Sequence, residues 1–223
     1  MASEHWTGRV HSACSTVAWW CRLNALWIFF TLLGGVVMGI GPATVAACVV
    51  SRSRSRGEVV GVRDFAVAWR RELRGGTAVV GPVVAVVALL WLNYAYFAAL
   101  GPRGDLPRLA TLAALVVALG AGAYVAPMYA HHDLPWRLYV VRSLRFALAR
   151  PASTVILLFV AAVVGFATVA LPVLLVTVSI GAWLHASTWL CLRFFAENEA
   201  RLSTAPDSGG PVRGLPSEPL RIR

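Results

Sequence analysis

Four stretches of the chain carry no charged side chain: Asn24–Val50, Thr77–Pro102, Leu109–Ala130 and Pro151–Leu192. They are 27, 26, 22 and 42 residues long. A bilayer core is about 30 Å thick, and roughly 20 apolar residues in a helix cross it. Each of the first three stretches therefore predicts one membrane-spanning helix, and the fourth is long enough for two. The pattern predicts an all-α polytopic bundle of five spans, over about 24–50, 77–100, 108–130, 152–171 and 173–195. Pro172 is the expected breaker of the long run, because proline lacks an N–H and clashes with the preceding turn; Gly181 is the second candidate. Gly34, Gly35, Gly39, Gly41 and Pro42 cluster inside the first run. They predict a kink or a close backbone approach, which membrane helices accept when neighbours satisfy the freed groups. A re-entrant excursion at this cluster is the alternative, and it would invert the N-terminus.

Two segments between spans are amphipathic. In Glu58–Arg74, Val62, Phe65, Ala66, Trp69 and Leu73 recur at helical spacing, while Arg63, Arg70, Arg71 and Arg74 point elsewhere. In Pro135–Arg150, Trp136, Tyr139, Val140, Ser143, Phe146 and Ala147 form a second such face. Both patterns predict interfacial helices, with aromatic rings in the headgroup layer and arginines on lipid phosphate. Residues 1–23 precede the membrane domain, 24–196. The tail, 197–223, is rich in proline and glycine, cannot bury enough surface to fold and is expected to be disordered.

Composition strengthens this picture. Hydrophobic residues make up 58% of the chain and mean hydropathy is +0.70, values that belong to the membrane class. The net charge of +10 is carried by 20 arginines without a lysine. With five spans, 16 arginines fall on one side and four on the other. The positive-inside rule then places the N-terminus outside and the C-terminus in the cytoplasm of a multi-pass cell-membrane protein. Arginines placed between spans set topology and meet anionic lipid, so membrane lipid is the expected partner and nucleic acid is not. Cys14, Cys21, Cys48 and Cys191 form no CxxC pair and read as reduced packing residues. A Cys14–Cys21 disulfide is the alternative if the N-terminus meets an oxidising space.

Candidate chemistry is sparse. Asn24, Asn93 and His185 are polar groups within or at the ends of apolar spans, where the choice lies between interhelical hydrogen bonding and a functional site. Asn93 stands beside Trp91, Tyr94 and Tyr96, which read as an aromatic belt before a sugar-stacking surface. The adjacent histidines of His131-His132-Asp133 diverge by about 100° on a helix and do not share a metal. The chain shows no nucleophile elbow, no HExxH and no phosphate loop, so an enzyme, a metal and a cofactor are not expected.

Four landmarks together resemble the YesL-like family of bacterial integral membrane proteins, a domain of unknown function. They are Asn24-Ala25-Leu26-Trp27-Ile28-Phe29 followed by Gly41-Pro42-Ala43-Thr44; Arg63-Asp64-Phe65 leading to Trp69-Arg70-Arg71; Leu92-Asn93-Tyr94 through Phe97; and Tyr124-Val125-Ala126-Pro127 followed by Asp133-Leu134. Their order and spacing match from about residue 20 to 195. Gly34-Gly35 and Met38-Gly39 depart from the proline and threonine-type residues expected at those places. The resemblance implies association with carbohydrate uptake and polysaccharide use beside ABC-type importers, and it carries no site residues. The expected protein is a non-enzymatic membrane accessory that meets importer subunits or a second copy through Gly35 and Gly39, and addresses the cytoplasm through Arg63–Arg74. A small-solute transporter or channel lined by His185, Asn93 and Asn24 is one alternative. A lipid-binding membrane scaffold is the other.

Overall fold

The computed structural model describes residues 2–131 and 136–204. The described residues form eight α-helices and no strand: α1 Ala2–Leu33, α2 Val37–Ser55, α3 Val62–Arg71, α4 Gly75–Ala99, α5 Asp105–His131, α6 Trp136–Ala149, α7 Pro151–Ala170 and α8 Ile180–Thr204. A 3-10 turn, Gly101–Gly104, joins α4 to α5, and a π-helical turn, Leu175–Ser179, leads into α8. Five segments are long and apolar enough to cross a membrane: Arg9–Leu33, Gly75–Ala99, Gly101–Ala130, Pro151–Ala170 and Leu175–Phe194. The chain is a multi-pass helical membrane protein.

The first span departs from the sequence expectation. Asn24–Val50 is not one helix, because α1 stops at Leu33 and the chain reverses before Val37. Gly35 adopts φ 68° and Val36 φ 30°. Glycine takes a left-handed step without steric cost, and here it turns the chain in three residues. The helix preceding the reversal reaches back to Ala2, so most of residues 1–23 are helical and the apolar crossing starts at Arg9. At the other end α8 continues to Thr204, past the expected tail boundary at 197; residues 205–223 lie outside the described residues. The fourth run is divided between α7 and α8, with Leu171 and Pro172 outside helix. Gly181 breaks nothing: it lies inside α8, where a side chain would collide with Trp20 O of α1.

α2 folds back along α1. Gly39 lies against Thr31 O, Trp27 Nε1 donates to Thr44 Oγ1 at 3.1 Å, and Arg54 reaches Ser15. It also meets the start of α4, where a Cβ on Gly41 would lie 2.7 Å from Gly76 O. Pro42 has no N–H, which frees the Met38 carbonyl four residues earlier. The Thr77 hydroxyl of α4 lies 3.2 Å from that oxygen. Glycine and proline thus serve helix contact here, and α2 sits in both cores. One core gathers Phe30 of α1, Ala46 and Val50 of α2, and Phe65 and Trp69 of α3. The other gathers Val45 and Cys48 with Val79, Tyr124, Tyr139 and Cys191 from α4, α5, α6 and α8.

Asn24 ties α1 to α8 at the junction with the π-helical turn. Its Nδ2 donates to Leu175 O at 3.2 Å and to Val176 O at 2.6 Å, and its Oδ1 accepts from Ile180 N at 2.9 Å and Gly181 N at 3.1 Å. Its side chain is fully buried. Asn24→Leu removes all four bonds, and each buried group left unpaired costs about 1–3 kcal/mol. The variant is expected to unfold at a clearly lower temperature in detergent. An unchanged unfolding midpoint would show that the α1–α8 joint does not rest on this amide.

Candidate functional site

The polar residues singled out in the apolar spans do not form one site. Asn24 is occupied by the four bonds above. His185 is half-buried beside it on α8, with its ring edge-on to Trp19 at 6.5 Å between centroids and its buried Nδ1 without a partner in the structure. Asn93 is exposed on α4, a helix that packs on neither α1 nor α8. A pathway through all three is therefore not assembled. His132 and Asp133 lie outside the described residues, and no group of three metal-ligating side chains is gathered among those described.

The polar residues that do converge come from the charged segment after α2. The α2 positions 45, 49, 52, 53 and 56 recur on one helical face, and the α3 positions 63, 64, 67, 68, 71 and 72 on another. The two faces, with Tyr129 and Ala130 of α5, line an open cleft of about 340 Å³. Its charged lining is Arg52 and Arg56 from α2 and its end, and Arg63, Asp64, Arg71 and Glu72 from α3 and its end.

Three contacts hold this cleft. Arg52 is 8% exposed and its Nη1 donates to Ala130 O at 2.9 Å. Burial lowers its pKa, the neighbouring Arg56 adds to that effect, and Glu58 opposes it. Glu72 is 6% exposed, and Tyr129 Oη donates to its Oε2 at 2.7 Å. Asp64 accepts from Gly61 N at 2.7 Å, which fastens the first turn of α3. Both carboxylates thus serve the architecture; Arg71 Nε lies 4.0 Å from Glu72 Oε1 and Arg56 Nη1 4.0 Å from Glu58 Oε1, while Arg63 makes no ion pair among the described residues.

The basic segment is divided by this arrangement. Arg63 and Arg71 line the cleft and Arg70 and Arg74 do not, although all four are exposed and the Arg71 side chain is 67% so. The aromatic face of α3 does not enter a headgroup layer as the amphipathic pattern predicted. Phe65 and Trp69 are buried, and both rings lie about 5 Å from Phe30. The reversal before α2 supplies the apolar surface that draws them inward. α6 behaves alike: Tyr139, Ser143 and Ala147 are buried and Tyr139 meets Tyr129, while Val140 is 42% exposed. In the sequence Arg52 and Arg56 are two of the 16 arginines that set topology. Their four-residue spacing on the helix that ends in them was the available signal.

Comparison with known proteins places this geometry. The family described as "Protein of unknown function, DUF624" matches residues 21–94, which include α2, α3 and every cleft residue except Tyr129 and Ala130. The chain is 34% identical over 151 residues to uncharacterized protein YesV of Bacillus subtilis (strain 168), covering 66% of this chain and 73% of that one. It is 32% identical over 150 residues to uncharacterized protein YesL of the same organism, covering 65% and 69%. Uncharacterized protein YteU, again from that organism, is 30% identical over 167 residues, covering 70% and 74%. No solved structure matches the chain.

Tyr129→Phe removes the hydroxyl that supports Glu72. A hydrogen bond to a charged group contributes about 1.5–3 kcal/mol, so the unfolding midpoint in detergent is expected to fall. Tyr94→Phe, which removes an exposed contact with Arg108, is expected to leave it in place. Equal midpoints for the two variants would show that the Glu72–Tyr129 contact does not brace the cleft.

Proposed function

The chain belongs to the YesL-like DUF624 family, and from that premise we propose that it is a non-enzymatic integral membrane accessory protein that works by binding. The observation that carries this reading is the chemistry of the cleft between α2 and α3. A guanidinium group offers N–H donors in a fixed fork and no acceptor. Both of its carboxylates are engaged in holding α3 and α5. Such a lining suits the retention of an anion better than its conversion.

The resemblance supplies the partner class, subunits of an ABC-type carbohydrate importer. The surface for that partner differs from the one expected. Of the two glycines expected there, Gly39 is consumed inside the fold against Thr31, while Gly35 stays exposed at the reversal. α7 buries little of itself, with Leu157 as its buried residue and Phe159 and Phe166 67% and 78% exposed. It is the helix with most surface to offer a neighbour in the bilayer. In this reading the cleft and the C-terminus face the cytoplasm, and the start of α1 lies on that side too, not outside as the sequence suggested, because α2 runs back along α1 until Arg54 reaches Ser15. The exposed Arg70 and Arg74 favour a second reading, a scaffold on anionic lipid.

Two experiments test these statements. Affinity recovery of the tagged protein from its native membranes in mild detergent is expected to bring down importer subunits in stoichiometric amounts. Phe159→Ala with Phe166→Ala is expected to reduce that recovery several-fold. Recovery of the protein alone would sink the accessory role. Val59→Cys, at a fully exposed position in a cysteine-free background, is expected to react with an impermeant thiol reagent in inside-out vesicles and not in intact cells. The reverse pattern would place the cleft outside.

A further inference from the structure

We propose that the cleft between α2 and α3 is a phosphate site, taking the dianionic phosphomonoester group of a phosphorylated solute or of a lipid headgroup. The inference rests on the anion-binding reading above and names its ligand class.

Arg52 carries the argument furthest. Charged side chains are almost never fully buried unless paired, because desolvation removes several kcal/mol of hydration. Arg52 is 8% exposed, and among the described residues its hydrogen-bond partner is a neutral carbonyl, Ala130 O. No carboxylate lies within ion-pair distance of it among those residues. A buried guanidinium on a cavity wall whose direct partner is a neutral carbonyl, with Glu58 acting on it only at a distance, calls for an anion from outside. Arg63, on the facing wall, also makes no ion pair among the described residues.

The number and placement of charges narrow the anion. Four guanidinium groups and two carboxylates line the cleft, and Glu58 lies 4.0 Å from Arg56, which leaves the site one to two positive charges in excess. A phosphomonoester carries about 1.5–2 negative charges at neutral pH and three strong acceptor oxygens. Arg52 and Arg56 approach from one helix, and Arg63 and Arg71 from the other. Planar guanidinium forks on two walls suit a tetrahedral group whose oxygens point in several directions, better than a flat carboxylate. The cavity, about 340 Å³, has the size of a small-molecule site and admits a headgroup or a phosphorylated solute.

The test is calorimetry on the purified full-length protein in detergent and in nanodiscs. The probes are inorganic phosphate, glycerol 3-phosphate, succinate, a poly-glutamate peptide, and nanodiscs of phosphatidylcholine doped with phosphatidic acid. Saturable binding of a phosphate probe is expected, weakened about tenfold or more by Arg63→Gln with Arg71→Gln. Arg70→Gln with Arg74→Gln, outside the cleft, is expected to leave it unchanged and controls for surface charge. Binding should also weaken below about pH 6, where the phosphomonoester takes up its second proton. Binding of glycerol 3-phosphate supports a soluble source, and dependence on phosphatidic acid alone supports a lipid source. Succinate or poly-glutamate binding in place of phosphate overturns the phosphate assignment while the anion-binding reading stands. Absence of binding by every anion overturns both. Phosphate binding that survives the Arg63/Arg71 change intact overturns the site.

Discussion

The reversal at Gly34–Val36 is the constraint on which the rest of the structure depends. It returns apolar chain alongside α1 as a helix of small residues, and that helix passes between the two cores. Close approach needs glycine at 39 and 41, where any side chain would meet backbone of α1 or α4. Once α2 lies there, its surface offers Ala43, Ala46, Ala47 and Val50 as the floor on which α3 sets Phe65 and Trp69. Its last turn then points Arg52 and Arg56 across to the opposite face of α3. The same turn that breaks the first apolar run therefore creates the cleft.

The polar groups that join the helices of this apolar body are paired, although the indole N–H groups of Trp19, Trp20 and Trp69, the hydroxyls of Thr31 and Ser51 and Nδ1 of His185 find no partner in the structure. Asn24 spends its whole amide on the start of α8. The carbonyl that Pro42 leaves unpaired has the Thr77 hydroxyl within reach. Glu72 is met by Tyr129, which joins the end of α3 to α5. These contacts do structural work, and their positions explain why the intramembrane asparagine is a joint and not part of a pathway. Arg52 stands apart from them, with a buried charge against a neutral carbonyl. Its setting is what turns a packing seam between two helices into a site with an electrostatic demand.

α3 shows how the same amphipathic pattern serves two different ends. Its periodicity separates aromatic from basic residues whether the apolar side meets lipid or protein. Here the apolar side meets Phe30 of α1, so the helix is held on the bundle and its basic side becomes a wall. Arg63 and Arg71, eight residues apart, share that wall, whereas Arg70 and Arg74 turn away from it. Charge on this segment is thereby divided between the lining of the cleft and the surface outside it, with all four arginines exposed to solvent.

The sequence by itself determined the class of protein and most of its helices. Long charge-free runs admit few structures but membrane-crossing helices, because a bilayer leaves no water for unpaired backbone groups. The hairpin at Pro172 was legible for the same local reason, as was the helical periodicity of α3. What the tertiary structure decided was the fate of Asn24–Val50, the role of Gly181 and the composition of the cleft. Glycines at 34, 35, 39 and 41 announce close approach without saying to what, because a glycine has no side chain to declare its partner. Arg52, Arg56, Arg63 and Arg71 are likewise indistinguishable in sequence from topology-setting arginines. Only the antiparallel packing of α2 on α3 places them around one cavity, and that packing is a property of two helices together and of neither alone.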